Sequence, residues 1–248
     1  MSTLHWITAE ALPDDFPSPE MALTDPDGLL ASGGDLSVAR LLAAYRRGIF
    51  PWYDSGQPVL WWSPNPRAFL PADKLHISKS LRRSLRRVPY ELSFDQDFHG
   101  VINACAAPRR DEPLTWILPE MIEAYCALHA AGHAHSFEVR VDGELVGGIY
   151  GVAIGRMFCA ESMFSRISDA SKIAVAMLIW QLADWGFPGI DCQVPSAHLQ
   201  SLGCVSMPRS EFLSLNKHYQ ALSGPPAWEF DQGIKARHLG TVGSPESG

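Results

Sequence analysis

Charge is scarce in this chain of 248 residues: 19% are Asp, Glu, Lys or Arg, against 46% hydrophobic, and the formal net charge is −7. Such a balance excludes a protein that coats nucleic acid non-specifically, so any nucleic-acid contact has to be local. Long apolar runs are missing as well. No stretch can span a bilayer, so no membrane partner is expected, and Met1 to Glu10 lack the basic-then-apolar pattern of a signal peptide. Cysteine is sparse: Cys105, Cys126, Cys159, Cys192 and Cys204 are odd in number, scattered and mostly set in apolar segments. They read as reduced core thiols of a cytoplasmic protein, with neither a disulfide frame nor a metal knuckle. What remains is a globular chain, long enough for one large or two modest domains, and nothing in it demands more than a monomer.

Residues 1–67 are rich in Pro, Gly and Trp, and Phe16-Pro17-Ser18-Pro19 and Asp25-Pro26-Asp27-Gly28 are turn chemistry. A helix fits residues 37–47, with Ser37 as N-cap and Gly48 as its stop. Trp52, Trp61 and Trp62, flanked by prolines, form a rigid aromatic wall. It can pin a small core, offer a stacking surface to a base, or do both. Residues 74–90 then carry basic side chains and no acid. A helix over residues 78–87 gathers Lys79, Arg82, Arg83, Arg86 and Arg87 within an arc of about 140°, with Leu81 and Leu85 on the other side. Like charges at that spacing repel one another. An unbroken basic ridge on an acidic protein therefore points to a polyanion, most simply phosphates.

From Tyr90 onward the pattern is α/β. It gives a strand over 90–94, helices over 97–106 and 119–131, and strands over 135–141, 145–154 and 157–164 joined by turns at Asp142-Gly143 and Gly155-Arg156. A long helix over 169–185, a strand over 189–194 and helices over 196–202 and 210–219 follow. This organises the chain as a small Trp/Pro-rich domain at 1–67, an α/β domain at 68–232 and a loose tail at 233–248.

Alternation along the 189–194 strand sends Ile190, Cys192 and Val194 into one core layer, and Asp191 and Gln193 to the opposite face. A carboxylate and an amide on an apolar strand cost free energy unless partnered or used, so Asp191 either caps a loop or serves a site. In the 157–164 strand the same rule groups Cys159, Glu161 and Met163 against Phe158, Ala160, Ser162 and Phe164. Glu161 beside Met163, between two phenylalanines, suits a pocket for an apolar side chain and one ammonium; a structural ion pair is the other reading.

The order of elements resembles the GNAT acyltransferase fold, an α/β (α+β) architecture. There the last hairpin strand and the strand after the long helix splay apart to make the acyl-donor cleft. Members of that fold hold acetyl-coenzyme A with a loop of the type Q/R-x-x-G-x-G/A. Here Ser165-Arg166-Ile167-Ser168-Asp169-Ala170-Ser171-Lys172 has no glycine to let backbone amides approach a pyrophosphate, so a different acyl donor is expected. More specific stretches are Gly28-Leu29-Leu30-Ala31, Gly33-Gly34-Asp35-Leu36, Ala44-Tyr45-Arg46-Arg47-Gly48-Ile49-Phe50-Pro51-Trp52, Leu60-Trp61-Trp62-Ser63-Pro64, Gly147-Gly148-Ile149-Tyr150-Gly151, Phe158-Cys159-Ala160-Glu161-Ser162-Met163-Phe164-Ser165 and Ile190-Asp191-Cys192-Gln193-Val194. With these motifs the chain resembles the leucyl/phenylalanyl-tRNA–protein transferase family from about Phe16 to Tyr219.

The resemblance implies transfer of Leu or Phe from Leu-tRNA or Phe-tRNA to proteins that begin with Arg or Lys, marking them for N-end rule degradation, with no cofactor or metal. It implies that Asp191 and Gln193 lie beside the reacting amine, that Glu161, Phe158, Met163 and Ile149 line the aminoacyl pocket, and that Trp52 and Trp116 hold the terminal adenosine. It also places the basic ridge on the tRNA acceptor stem. Ile149 stands where the family often has Met, which leaves the choice among Leu, Phe and Met open. On this view Asp191 deprotonates the amine and Gln193 fixes its geometry. The alternatives are a coenzyme A-dependent N-acetyltransferase, a tRNA-end binding module without catalysis, and a Cys/His hydrolase. The hydrolase is disfavoured because His198 has no evident carboxylate partner.

Overall fold

Short, proline-bounded strands of the leading segment form one sheet, and the longer alternating runs form another. The computed structural model describes residues 4–87, 89–108 and 115–239. Strands β1 (His5–Ile7), β2 (Leu29–Gly33), β3 (Phe50–Pro51) and β4 (Leu60–Trp62) make a four-stranded sheet in the order β1-β2-β4-β3. Between β2 and β3 lies α1 (Val38–Arg46). The Ser37 side chain accepts from the Arg40 N–H at its start, and the chain leaves it through Gly48 at φ 69°. Trp61 is fully buried, edge-on to Phe16, and donates its indole N–H to the Gly33 carbonyl. Trp52 is 43% exposed, with Trp62 tilted against it. The core role of the aromatic wall thus falls to Trp61 and the outward surface to Trp52.

The second sheet has seven strands. They are β5 (Arg67–Pro71), β6 (Glu91–Phe94), β7 (Ala134–Val141), β8 (Glu144–Ile154), β9 (Met157–Ser165), β10 (Gly189–Gln193) and β11 (Val205–Met207), in the order β11-β5-β10-β9-β8-β7-β6. From β6 to β10 the chain order is the one expected: a strand, α3 (Phe98–Ala106), α4 (Pro119–Ala130), three antiparallel strands, α5 (Ala170–Asp184) and a strand parallel to β9. Two strands escape the sequence pattern. β5 sits between Pro66 and Pro71 and reads as more of the proline-rich leader, while β11 has three residues. Proline is tolerated at the end of a strand, so β5 pairs antiparallel with β10 on one side and β11 on the other. Arg67, placed in the small domain by sequence, opens a strand of the larger sheet.

The two faces of this sheet carry two cores. On one, α1, α3, α4 and α7 (Arg209–Gln220) bury Tyr45, Val101, Ile102, Tyr125 and Phe212 together with Trp61 of the small sheet. On the other, α5 packs with α2 (Lys79–Arg87) and α8 (Ile234–Leu239). Leu81 and Leu85 of α2 are buried, each contributing about 1.5–3 kcal/mol. Lys79, Arg82, Arg83, Arg86 and Arg87 face outward as the helical period requires. Arg86 is not free, however: it donates to the Leu239 carbonyl at the end of α8. That helix corrects the expected tail, because Ile234 and Leu239 are buried; residues 240–248 lie outside the described part. Val194, expected in the core, is 43% exposed, since β10 ends at Gln193.

Candidate active site

Strands β9 and β10 pair through Ile190↔Phe158 and Asp191↔Cys159 and then part. Each is bulged where it parts. The β8–β9 register slips between Tyr150 and Gly151: Tyr150 faces Ser162 and Gly151 faces Ala160, leaving Glu161 as the extra residue. The β10–β5 register slips between Asp191 and Gln193, and Gln193 is held at φ 60°, a conformation rare for a residue with a side chain. The first bulge corrects the alternation expected from sequence. Glu161 stays on the Cys159 face and turns to α1 and α4, whereas Met163 crosses to join Phe158 and Ala160.

Glu161 sits in a nest of donors. Tyr45 donates to Oε1 at 2.7 Å, Tyr125 to Oε2 at 2.8 Å, and Gln193 Nε2 to Oε1 at 2.8 Å. Burial pushes the carboxyl up to about 7 against the lowering effect of those three hydrogen bonds. The two tyrosine hydroxyls are themselves pushed well up, by burial first and then by the neighbouring carboxylate, so both remain protonated donors.

Asp191 is held inside the fold. It is fully buried, and Arg67 grips it with both ends of the guanidinium, Nε to Oδ1 at 2.8 Å and Nη2 to Oδ2 at 2.7 Å. Oδ1 also accepts the Gln193 backbone N–H at 3.0 Å. Arg67 is sandwiched by the Phe50 and Phe212 rings and donates to the Gly48 carbonyl. Both carboxylate oxygens are thus committed to charge-assisted hydrogen bonds inside the fold. Through Oδ1 the carboxylate also meets the left-handed turn at Gln193, whose side-chain amide reaches Glu161.

Two cavities meet at Glu161. A small one of about 80 Å³ is walled by Ile149, Met163, Val175, Ile190 and Leu199. A larger one of about 910 Å³ runs past Trp116, Phe164, Ser196 and His198 to Arg166. Of the expected pocket residues, Ile149 and Met163 reach the small cavity, but Phe158 is 1% exposed and lines neither, its ring turned toward Trp228. Trp52 and Trp116 do not share a wall. Trp52 belongs to a third hollow of about 300 Å³ with Trp62, Pro64 and Val194-Pro195, and the next residue, Ser196, lines the Glu161 cavity. At the start of α5, Asp169 occupies the N-cap position at φ 65°, its carboxylate held by Ser84 and near Lys172. A fixed negative charge at a helix N-terminus makes a poor seat for a pyrophosphate.

The family model described as leucyl/phenylalanyl-tRNA protein transferase matches residues 69–217, and that of its N-terminal domain matches residues 34–65. The chain belongs to this family. Among its relatives, the leucyl/phenylalanyl-tRNA–protein transferase of Methylococcus capsulatus is 56% identical over 219 residues, 88% of this chain and 93% of the relative. That of Pseudomonas putida is 56% identical over 211 residues, 85% and 92% of the two chains. Among solved structures, a GCN5-related N-acetyltransferase-like protein from Streptococcus suis is 13% identical, with a TM-score of 0.33 over 64% of this chain and 59% of its own. Family membership makes the chain a transferase.

The site contains three residues that sequence reasoning did not single out, Arg67, Tyr45 and Tyr125. Arg67 shows itself only as a lone cation entering the apolar run Ala68-Phe69-Leu70, which demands a buried acid. Tyr45 and Tyr125 read as core residues of amphipathic helices. Nothing in the helical period marks hydroxyls that leave a core to reach a strand.

Proposed function

We propose that this protein transfers leucine or phenylalanine from its tRNA to the amino terminus of proteins that begin with Arg or Lys. The cytoplasm, where charged tRNA resides, is the place of this reaction, and N-end rule degradation is its consequence. The observation that carries the reading is the meeting, at Glu161, of a small apolar cavity and a larger polar one where β9 and β10 part. The small cavity suits an aliphatic or aromatic side chain, and Ile149 and Met163 set its width. The larger cavity suits the nucleotide end, with Trp116 as a stacking face and Trp52 on the neighbouring ledge. On the face of the sheet that α5 covers, Lys79, Arg82, Arg83 and Arg87 of α2 present the charge for the acceptor stem.

An aminoacyl ester is already activated, so the site has to orient the amine, accept a proton and steady the oxyanion. Gln193 orients and Asp191 with Arg67 holds Gln193. The test is to incubate the protein with radiolabelled leucyl-tRNA and an Arg-initiated peptide, beside an uncharged-tRNA control with free leucine. Label in the peptide only with charged tRNA is the expected result; none in either overturns the reading. Binding of acetyl-coenzyme A at micromolar concentration, read by calorimetry, would favour an N-acetyltransferase instead.

A further inference from the structure

The protons around Glu161 lead beyond the binding role. Tyr45, Tyr125 and the carboxyl form a triangle whose third edge, between the two hydroxyl oxygens, is 2.6 Å. Each hydroxyl has one hydrogen to donate. With the carboxyl ionised, both hydrogens serve it, and the short Tyr45–Tyr125 edge has none. With the carboxyl protonated, three hydrogens fill three edges: the carboxyl donates to one tyrosine, that tyrosine to the other, and the second back to the remaining carboxyl oxygen. Gln193 Nε2 donates to Oε1 in either state. The triangle therefore offers hydrogen-bonded arrangements both with and without one extra proton.

The surrounding charges are settled. On the β10 and β5 side Asp191 is matched by Arg67. Cys159 on β9 and Tyr150 on β8 are pushed up by burial and stay neutral. Across the larger cavity His198 is pushed down, by burial and then by Lys172, and Arg166 stands at the far end.

We propose that Glu161 is the proton-exchanging group of the transfer reaction, with Tyr45 and Tyr125 as positioning residues that let it take up and release one proton. This rests on the aminoacyl transfer proposed above. The carboxyl, at about 7, is close to the value of about 7.7–8.0 usual for an α-amine, so a proton moves between them at small cost. The acceptor's ammonium gives its first proton to the Glu161 carboxylate. The freed lone pair attacks the ester carbonyl carbon, the C–N bond forms, and the C–O bond to the ribose breaks. A second proton leaves the nitrogen for the departing ribose oxygen. Glu161 then releases the first proton through the larger cavity. Ester and ammonium become amide, hydroxyl and one free proton.

The experiment is single-turnover transfer from leucyl-tRNA to an Arg-initiated peptide across the pH range, joined to infrared titration of the substrate-free protein. Below about 7 the carboxyl is already protonated and cannot take the ammonium proton, so the rate falls on the acid side with a midpoint there. Glu161→Gln lowers the rate at neutral pH by about a hundredfold or more and moves the acid limb up to the amine's own value of about 7.7–8.0. Tyr45→Phe and Tyr125→Phe lower transfer at neutral pH and recover it at higher pH. Each takes a donor from the carboxylate and moves the acid limb upward by about one unit. In the infrared, the band of a protonated carboxyl is lost as pH rises through the same midpoint, and Glu161→Gln lacks that change. An unaltered acid limb in Glu161→Gln, or no such titration in the unmodified protein, overturns the proposal. If the unmodified protein transfers nothing, the function falls and the catalytic role with it, while the infrared result still decides whether Glu161 carries the proton.

Discussion

Arg67 is buried with its guanidinium carbon over the Phe50 and Phe212 rings, and it is ion-paired with Asp191. Two ions withdrawn from water stabilise the fold little as a pair, yet either one alone is expensive. Arg67→Met should therefore destabilise the protein by about 3–5 kcal/mol, and Asp191→Leu by a similar amount, read as a lower midpoint in urea. The double variant should recover most of that stability, because it leaves no lone charge. It should nevertheless be unable to carry out transfer, since Gln193 is then no longer held at φ 60° by the Asp191 carboxylate. Additive destabilisation in the double variant would mean that the two residues act independently. This is the scale at which the sequence was least legible. Asp191, Gln193 and Glu161 stand out as polar groups on apolar strands, but the pairing across 124 positions to Arg67 leaves no local trace. Asp191 consequently reads as a base in the sequence, whereas in the fold its carboxylate is paired with Arg67.

Among the elements, nearly every helix and strand of the larger unit follows from hydrophobic period and turn residues. Helix α2 shows how far that goes, with two buried leucines opposite a basic ridge. What period cannot supply is interruption. A bulge costs one residue and flips everything after it, which is how Met163 leaves the Cys159 face on which Glu161 stays, although both border the small cavity. The ridge also divides in a way its sequence does not show. All four arginines are exposed, but Arg86 alone among them donates to the Leu239 carbonyl of α8. Replacing Arg82, Arg83 or Arg87 with Ala should weaken tRNA binding at all sequences alike. Removing the cation opposite one phosphate should reduce the slope of log affinity against log salt by about 0.7–0.9. Arg86→Ala should leave that slope closer to the unmodified value and instead speed amide exchange in α8. Equal salt slopes for all four variants would remove the distinction.

The molecule as a whole is not a catalytic unit with a leader attached. Tyr45 of the leading segment donates to Glu161, the Gly48 carbonyl accepts from Arg67, and Asn216 of α7 donates to the Tyr45 carbonyl. The Trp61 core of the small sheet is continuous with the α3–α4 core of the large one. A boundary near residue 67 is clear in composition, but it runs through the middle of the site. Composition records where turns and prolines gather; it does not record which apolar faces end up against each other. If the two sheets share a core, they should unfold together. Urea unfolding followed by far-ultraviolet circular dichroism and by tryptophan fluorescence should give one midpoint, since Trp61 lies in one part and Trp180, Trp185 and Trp228 in the other. A fragment of residues 68–248 should fail to fold, because it exposes the face that Leu41, Tyr45 and Trp61 cover and leaves Glu161 without one of its two tyrosines. Two separated transitions, or a fragment with a sharp transition of its own, would show instead that the proton-exchanging triangle is assembled from independently stable halves. Its geometry would then depend on how those halves dock and not on a common core.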